Sequence, residues 1–200
     1  MEISDIRLNL LGDERRRDAI TTAIRNILTM IGEDWGRDGL MRTPLRVVKA
    51  YEEWFGGYSI QDPKKVLDRT FETDYSDMVI VKNIKFYSHC EHHMAPFFGY
   101  AHVAYIPKKR IVGLDKIIKL VEVYSRRLQT QEQLTHQIAT AINEVLKPRG
   151  VGVNIEAEHF CIASRGTRSQ DSITITTKLM GLLDRSSAKK EFFDAINNGK

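Results

Sequence analysis

Apolar residues along this 200-residue chain change their spacing near residue 77, and the change separates two kinds of element. Before it, apolar positions recur every three or four residues. Ile20, Ile24, Ile27, Leu28 and Ile31 form a stripe that stops at Gly32, with Asp13 as N-cap, a pattern that predicts an amphipathic helix. Thr43-Pro44 predicts a second helix, a cap followed by proline at the first helical position. Val47, Val48, Tyr51 and Phe55 then share one side, and Gly56-Gly57 ends it. Asp62-Pro63 predicts a short third helix. The chain thus divides into an N-terminal helical region, residues 1–75, and a second region, residues 76–200.

In the second region, Met78 to Tyr87 and Phe97 to Ile106 are rich in β-branched and aromatic residues. They predict a hairpin pair with Cys90 to His93 in the connection. A short strand is predicted at Arg110 to Val112. Two helices follow, Leu114 to Leu128 burying Ile117, Ile118 and Val121, and Gln131 to Leu146 burying Leu134, Ile138, Ala141, Ile142 and Val145. Thr130 with Gln133 caps the second. Val151 to Ala163 alternates, so Val151, Val153, Ile155, Ala157, His159 and Cys161 share one face of a strand. Ser164 to Asp171 makes a turn, Ser172 to Leu179 a further strand and Ser187 to Ile196 a last helix. This order predicts an α+β fold with helices against one face of an antiparallel sheet.

Composition agrees with that outline: 42% apolar and 28% charged residues suit a soluble globular protein. No apolar run approaches the roughly 20 residues needed to cross a bilayer. Met1 to Leu11 is broken by charges, unlike a secretory signal, so the expected location is the cytoplasm. The net charge of +4 is a mild excess. Its clusters, Lys108-Lys109-Arg110, Arg126-Arg127 and Arg165 with Arg168, suit nucleic acid, nucleotide phosphates or plain solvent.

The chemistry concentrates in two short segments. Both cysteines and four of the six histidines lie in Ser88-His89-Cys90-Glu91-His92-His93 and His159-Phe160-Cys161. The two thiols could pair as a disulfide, but adjacent histidines and a reducing compartment favour metal ligation. Zinc accepts thiolate and imidazole readily, closed by four protein ligands in structural sites and left open by three in catalytic ones. A closed Cys₂His₂ staple and an open Cys₂His site both remain possible on spacing. Cys90, His93 and Cys161 would make the open site, leaving His92 and His159 as acid/base groups. A zinc ion lowers the pKa of bound water to about 7, and histidine titrates nearby, chemistry suited to hydrolytic attack on an electrophilic carbon. His89 reads as a satisfied polar residue without a role.

Taken together, Cys90-Glu91-His92-His93 with Pro96-Phe97, Gly113-Leu114-Asp115-Lys116, Gln129-Thr130-Gln131-Glu132, Glu156-Ala157-Glu158-His159-Phe160-Cys161 and Arg165-Gly166 resemble GTP cyclohydrolase I. The resemblance covers roughly residues 40 to 195, with every motif in order. It implies a T-fold, an antiparallel ββααββ core, here with an N-terminal helical extension. It further implies a homodecamer of two pentameric rings with active sites at subunit interfaces. The activity implied is hydrolysis of GTP at C8, release of formate and rearrangement to 7,8-dihydroneopterin triphosphate, the entry step to folate or biopterin. The implied cofactor is Zn²⁺ on Cys90, His93 and Cys161, with His92 and His159 as proton carriers. Glu132 matches the glutamate that holds guanine, and a carboxylate can accept from the guanine N1–H and 2-amino group together, a donor pair that adenine lacks. Gln131 is a further candidate for that pocket. Arg165 and Lys116 match triphosphate cations, and Arg46 is a candidate from the helical region. The partner implied is GTP, not nucleic acid or a membrane.

Two positions depart from the family pattern. Asp115 replaces the usual serine near the ribose, and Lys119 replaces the usual arginine, which keeps charge but loses bidentate geometry. The competing readings are another T-fold enzyme acting on a pterin or deazapurine, a basic RNA-binding module with structural zinc, and a catalytically silent relative.

Overall fold

The computed structural model describes residues 7–198, and the chain divides into two compact units, Met1–Ile60 and Gln61–Lys200. The charged stretch read from Met1 to Leu11 lies outside the described residues over its first six positions.

The first unit holds α1 (Glu14–Met30) and α2 (Thr43–Trp54). Asp13 caps α1, its carboxylate accepting from the Arg16 N–H. Gly32 after α1 has φ +91°, a left-handed backbone that glycine adopts without steric cost. Pro44 is the second helical residue, because helical backbone already begins at Thr43. Val48 and Phe55 are buried as expected, with Tyr51 edge-on to Phe55 at 5.3 Å. Glu52 anchors the preceding segment by accepting from the Leu10 and Leu11 N–H groups at 2.7 and 2.8 Å. The α1 stripe is different: Ile27 is 58% and Ile31 69% exposed. Periodicity identifies an apolar face but not what covers it.

The second unit opens with a 3₁₀ turn, Pro63–Leu67, capped by Asp62. Then come β1 (Thr70–Glu72), β2 (Val79–Cys90), β3 (Pro96–Ile106), β4 (Arg110–Val112), α3 (Leu114–Ser125), β5 (Leu128–Gln129) and α4 (Gln131–Leu146). The chain finishes with β6 (Gly150–His159), α5 (Phe160–Ala163), β7 (Ile173–Gly181) and α6 (Ser186–Asn197). Five strands form one sheet in the order β5-β2-β3-β6-β7, antiparallel except for the short parallel β2–β5 pairing. Strands β1 and β4 form a separate ribbon. The protein is therefore an α+β fold whose central elements run ββααββ.

Alternation on the strands decides the two faces. Ala101, Val103 and Tyr105 of β3 and Val151, Val153 and Ile155 of β6 pack with Leu120, Val121, Leu134, Ile138 and Ile142 of α3 and α4. Ala104 and Ile106 face the other way and form a second core with Leu183, Phe192 and Ile196. A bulge between Val81 and Ile84, with Asn83 at φ +60°, shifts the register of β2 and sets Ile84, Phe86 and Cys90 in the α3–α4 core. Glycine is required at Gly99, where a Cβ would collide with the Glu156 carbonyl across the β3–β6 pairing.

Several sequence expectations shift. Helix α3 ends at Ser125, and Leu128 joins β5, because the chain there pairs with His89 and Cys90. Ile118 is 39% exposed rather than buried. Strand β6 stops at His159, so Cys161 lies in the single helical turn α5 and does not continue the alternation. β1 gave no alternation signal, being only three residues long. Among the described residues, no helix is long and apolar enough to cross a membrane.

Candidate active site

Cys90 is the last residue of β2, and the chain reverses directly after it. Cys90 N–H donates to the Ala95 carbonyl and Met94 N–H to the Cys90 carbonyl, both at 2.8 Å, with Met94 at φ +54°. The tight turn folds His93 back until its Nδ1 is 3.5 Å from the Cys90 Sγ. From the other side, antiparallel register sets His159 opposite Phe97, and the turn α5 carries Cys161 to the same place. The donor atoms of Cys90, His93 and Cys161 all lie within 4.8 Å of one another. Tetrahedral zinc, with bonds of roughly 2.0–2.3 Å, spaces its donors about 3.5 Å apart, so this set fits such an ion after slight closure. Burial first, and then Cys90 beside it, push the Cys161 thiol up, while Arg165 opposes them. Metal binding at this set therefore displaces a proton.

His159 sits beside the donor set and is tightly held. Its ring is stacked on Phe97, with centroids 4.6 Å apart and planes 4° from parallel. Its Nε2 is 2.7 Å from the Oε1 of Gln131. Burial lowers its pKa, and the nearby charge of Glu132 partly offsets this. His92 is the opposite case, exposed on the turn with its Nε2 3.8 Å from Glu91. His89, one residue before the donor set, is buried on β2, and burial lowers its pKa as well.

Glu132 is exposed in the first turn of α4, where helix N-termini favour negative charge, and it lies within electrostatic reach of His159. Gln131 does not face a ligand pocket. It is only 2% exposed, and its Nε2 is within hydrogen-bond distance of Ile155 O at 3.0 Å, Thr174 O at 2.9 Å and Thr176 Oγ1 at 3.1 Å. Its amide is thus engaged inside the protein, with β6, β7 and His159. Arg165 is exposed in the loop after α5, near enough to act on Cys161.

The α3 cations stand elsewhere. Val112, just before α3, donates its N–H to the Tyr105 hydroxyl at 3.4 Å, at the end of the sheet remote from Phe97 and His159. Eight residues of β3 separate Tyr105 from Phe97, roughly 25 Å along the strand. Lys116 and Asp115 lie in the first turn of α3 at that remote end and pair with each other at 3.2 Å. Lys119, expected to meet phosphate, is 5% exposed, and its charge acts on the half-buried Glu122, which also holds Arg126 at 2.6 Å. Lys119 is thus buried beside a carboxylate of its own helix rather than exposed like Arg165. Arg46 is exposed on α2 in the first unit.

Sequence pattern includes Phe97 in a motif but assigns no role to it, and it does not mark the β7 threonines. The role of Phe97 becomes visible only once β3–β6 register is known, because it is the cross-strand partner of His159.

Fold and site together define an α+β protein with a Cys-His-Cys group able to hold a metal ion, flanked by a held histidine. The profile of the GTP cyclohydrolase I family matches residues 20–197. Proteins called GTP cyclohydrolase 1 from Brucella suis (strain ATCC 23445 / NCTC 10510) and Brucella abortus (strain S19) are each 58% identical over 161 residues, 80% of this chain and 75% of theirs. The Brucella canis protein of the same name is 57% identical over the same length. A solved structure of the archaeosine synthase QueF-Like in the apo form aligns with a TM-score of 0.42 and 18% identity, covering 52% of this chain and 93% of that one. This chain belongs to the GTP cyclohydrolase I family of enzymes.

Proposed function

We propose that the protein hydrolyses GTP at C8, releases that carbon as formate and forms 7,8-dihydroneopterin triphosphate, with Zn²⁺ held by Cys90, His93 and Cys161. The observation that carries this reading is the convergence of those three donors beside His159 in a chain of this family. Bound there, zinc supplies Lewis acidity and an acidified water. The remaining work falls to the protein's own side chains. His159, whose pKa burial lowers, is ready to take a proton from water or to return one to a purine nitrogen as the C8–N bonds break. His92, exposed on the turn, is the second proton carrier. Glu132 accepts from guanine N1–H and the 2-amino group, and Arg165 neutralises phosphate.

Lys116 and Asp115 support a site drawn from more than one subunit. At roughly 25 Å along the sheet from His159, they are too far to touch a nucleotide whose C8 lies at the donor set of the same chain. They serve the donor set of a second copy. Edge strand β7, with Ile173 57% and Ile175 61% exposed, and the uncovered α1 residues supply apolar surface for such association. The assembly is a cytoplasmic homo-oligomer, a decamer of two pentamers if it follows the family resemblance. Arg46 and Lys119 are further candidate phosphate contacts within that assembly.

The test is incubation of zinc-loaded protein with GTP, followed by a formate assay and fluorescence detection of oxidised neopterin. Equal amounts of the two products are expected. Intact GTP with metal-replete protein overturns the reading.

A further inference from the structure

The Gln131 amide has only one orientation compatible with its surroundings. Ile155 O and Thr174 O, at 3.0 and 2.9 Å from the Gln131 Nε2, are backbone carbonyls and can only accept. Exchanging the amide nitrogen and oxygen would set three acceptors against one another in a position 2% exposed, where water cannot relieve them. The nitrogen therefore faces β6 and β7, and the oxygen faces His159. That oxygen is an acceptor, so the atom 2.7 Å away, Nε2 of His159, must be the one bearing hydrogen. The backbone of Gln131 is restrained too, since its carbonyl accepts from the Thr135 hydroxyl at 2.8 Å, and Thr135 in turn meets Thr176 at 2.6 Å. Phe97, fully buried and stacked on the imidazole, hinders rotation of the ring, and only the observed orientation sets a ring nitrogen against Oε1.

We infer that Gln131 is a positioning residue: it selects the Nε2–H tautomer of neutral His159 and so assigns proton exchange with the reacting centre to Nδ1. The proton on Nε2 stays on the amide oxygen's side throughout turnover. A proton taken up at Nδ1 gives an imidazolium whose Nε2–H still points at Oε1, and return of that proton from Nδ1 restores the starting tautomer. This inference rests on the proton-carrying role of His159 in the proposed GTP reaction. It goes beyond that role by naming the nitrogen used and the side chain that chooses it, and it removes Gln131 from the guanine pocket.

The test uses zinc-loaded protein labelled with ¹⁵N in its histidines, held well above the ordinary imidazole pKa. The His159 signals are identified by their loss in His159→Asn. A pyrrole-like Nε2 and a pyridine-like Nδ1 are expected in the unaltered protein, and the reverse pattern overturns the inference without any need for a Gln131 variant. In Gln131→Met, which keeps length and loses both hydrogen-bonding functions, the tautomer preference should collapse. Its kcat should fall on the order of 10- to 100-fold, as for other residues that orient a working histidine, while KM for GTP and zinc content stay close to those of the parent. A Met variant with unchanged tautomer and kcat, or one whose loss lies in KM, also overturns it, the latter returning Gln131 to the substrate pocket. Absence of formate from the unaltered protein would instead defeat the proposed reaction, while the nitrogen spectrum would still decide the tautomer.

Discussion

The two ends of the five-stranded sheet are built from the same strands and do different work. At one end β2, β3 and β6 deliver Cys90, Phe97 and His159, and the turn α5 adds Cys161. Here side chains are held twice over: His159 by a ring stack and a 2.7 Å hydrogen bond, Cys90 by burial and by the tight turn after it. At the other end Tyr105 ties the start of α3, and the exposed Asp115 and half-buried Lys116 pair with each other. The held end has the features of preorganised chemistry, where groups that must meet an ion and a reacting carbon cannot be left to wander. The loose end offers charge near the surface. Under the proposed function, phosphate cations a sheet's length from the donor set of the same chain call for a second copy.

The strongest way to break that contrast is at the held end. Cys161→Ala should lose bound zinc and with it all GTP turnover, measured by metal analysis and formate release. Retained zinc at full stoichiometry would mean that Cys161 is not a ligand. A mixing experiment tests the division of labour directly. His159→Ala and Lys116→Ala should each be impaired alone, and co-assembled chains should regain up to about a quarter of the parent sites, since random pairing reunites one intact half from each copy. No recovery above the two separate activities would return both residues to one chain. Glu132→Gln should weaken GTP binding by about 1–3 kcal/mol, the size of a bidentate contact to a base, read by titration calorimetry with a zinc-loaded variant.

The smallest effect belongs to the remote end. Burial raises the Tyr105 phenol above its ordinary value, and the Val112 N–H partly counters this. A folded-state pKa above the unfolded one means that the folded protein holds the proton longer. Stability is then fully present below the ordinary phenol value and falls as pH rises from there toward the folded pKa. Urea midpoints of Tyr105→Phe should decline less steeply with alkaline pH than those of the parent. Parallel declines would show that this phenol is not what titrates.

Legibility of the molecule followed distance along the chain. Cys90 and His93 are three residues apart, so their partnership needs only a turn, and the run Cys90-Glu91-His92-His93 displays it. The Thr130 cap and the Asp13 cap were readable for the same reason, each satisfied within three residues. Alternation on β6 put His159 on one face with Val151, Val153 and Ile155, yet it carried Cys161 along the same strand, although that thiol reaches the donor set from a helical turn. Gln131 read as a pocket residue because it neighbours Glu132. Its real partners, Ile155, Thr174 and Thr176, are 24 to 45 positions away. The burial of Lys119 beside Glu122 was hidden for the same lack of information about what surrounds α3.

Side-chain chemistry and local periodicity settled which residues are able to bind a metal, carry a proton or hold a base, and which stretches coil or extend. Those properties depend on a residue and its few nearest neighbours. Which of the able residues actually meet was decided by strand register and by the packing of α4 against β6 and β7. Pairings over that range bring together groups that no short window of sequence contains, and close packing leaves each of them few ways to point.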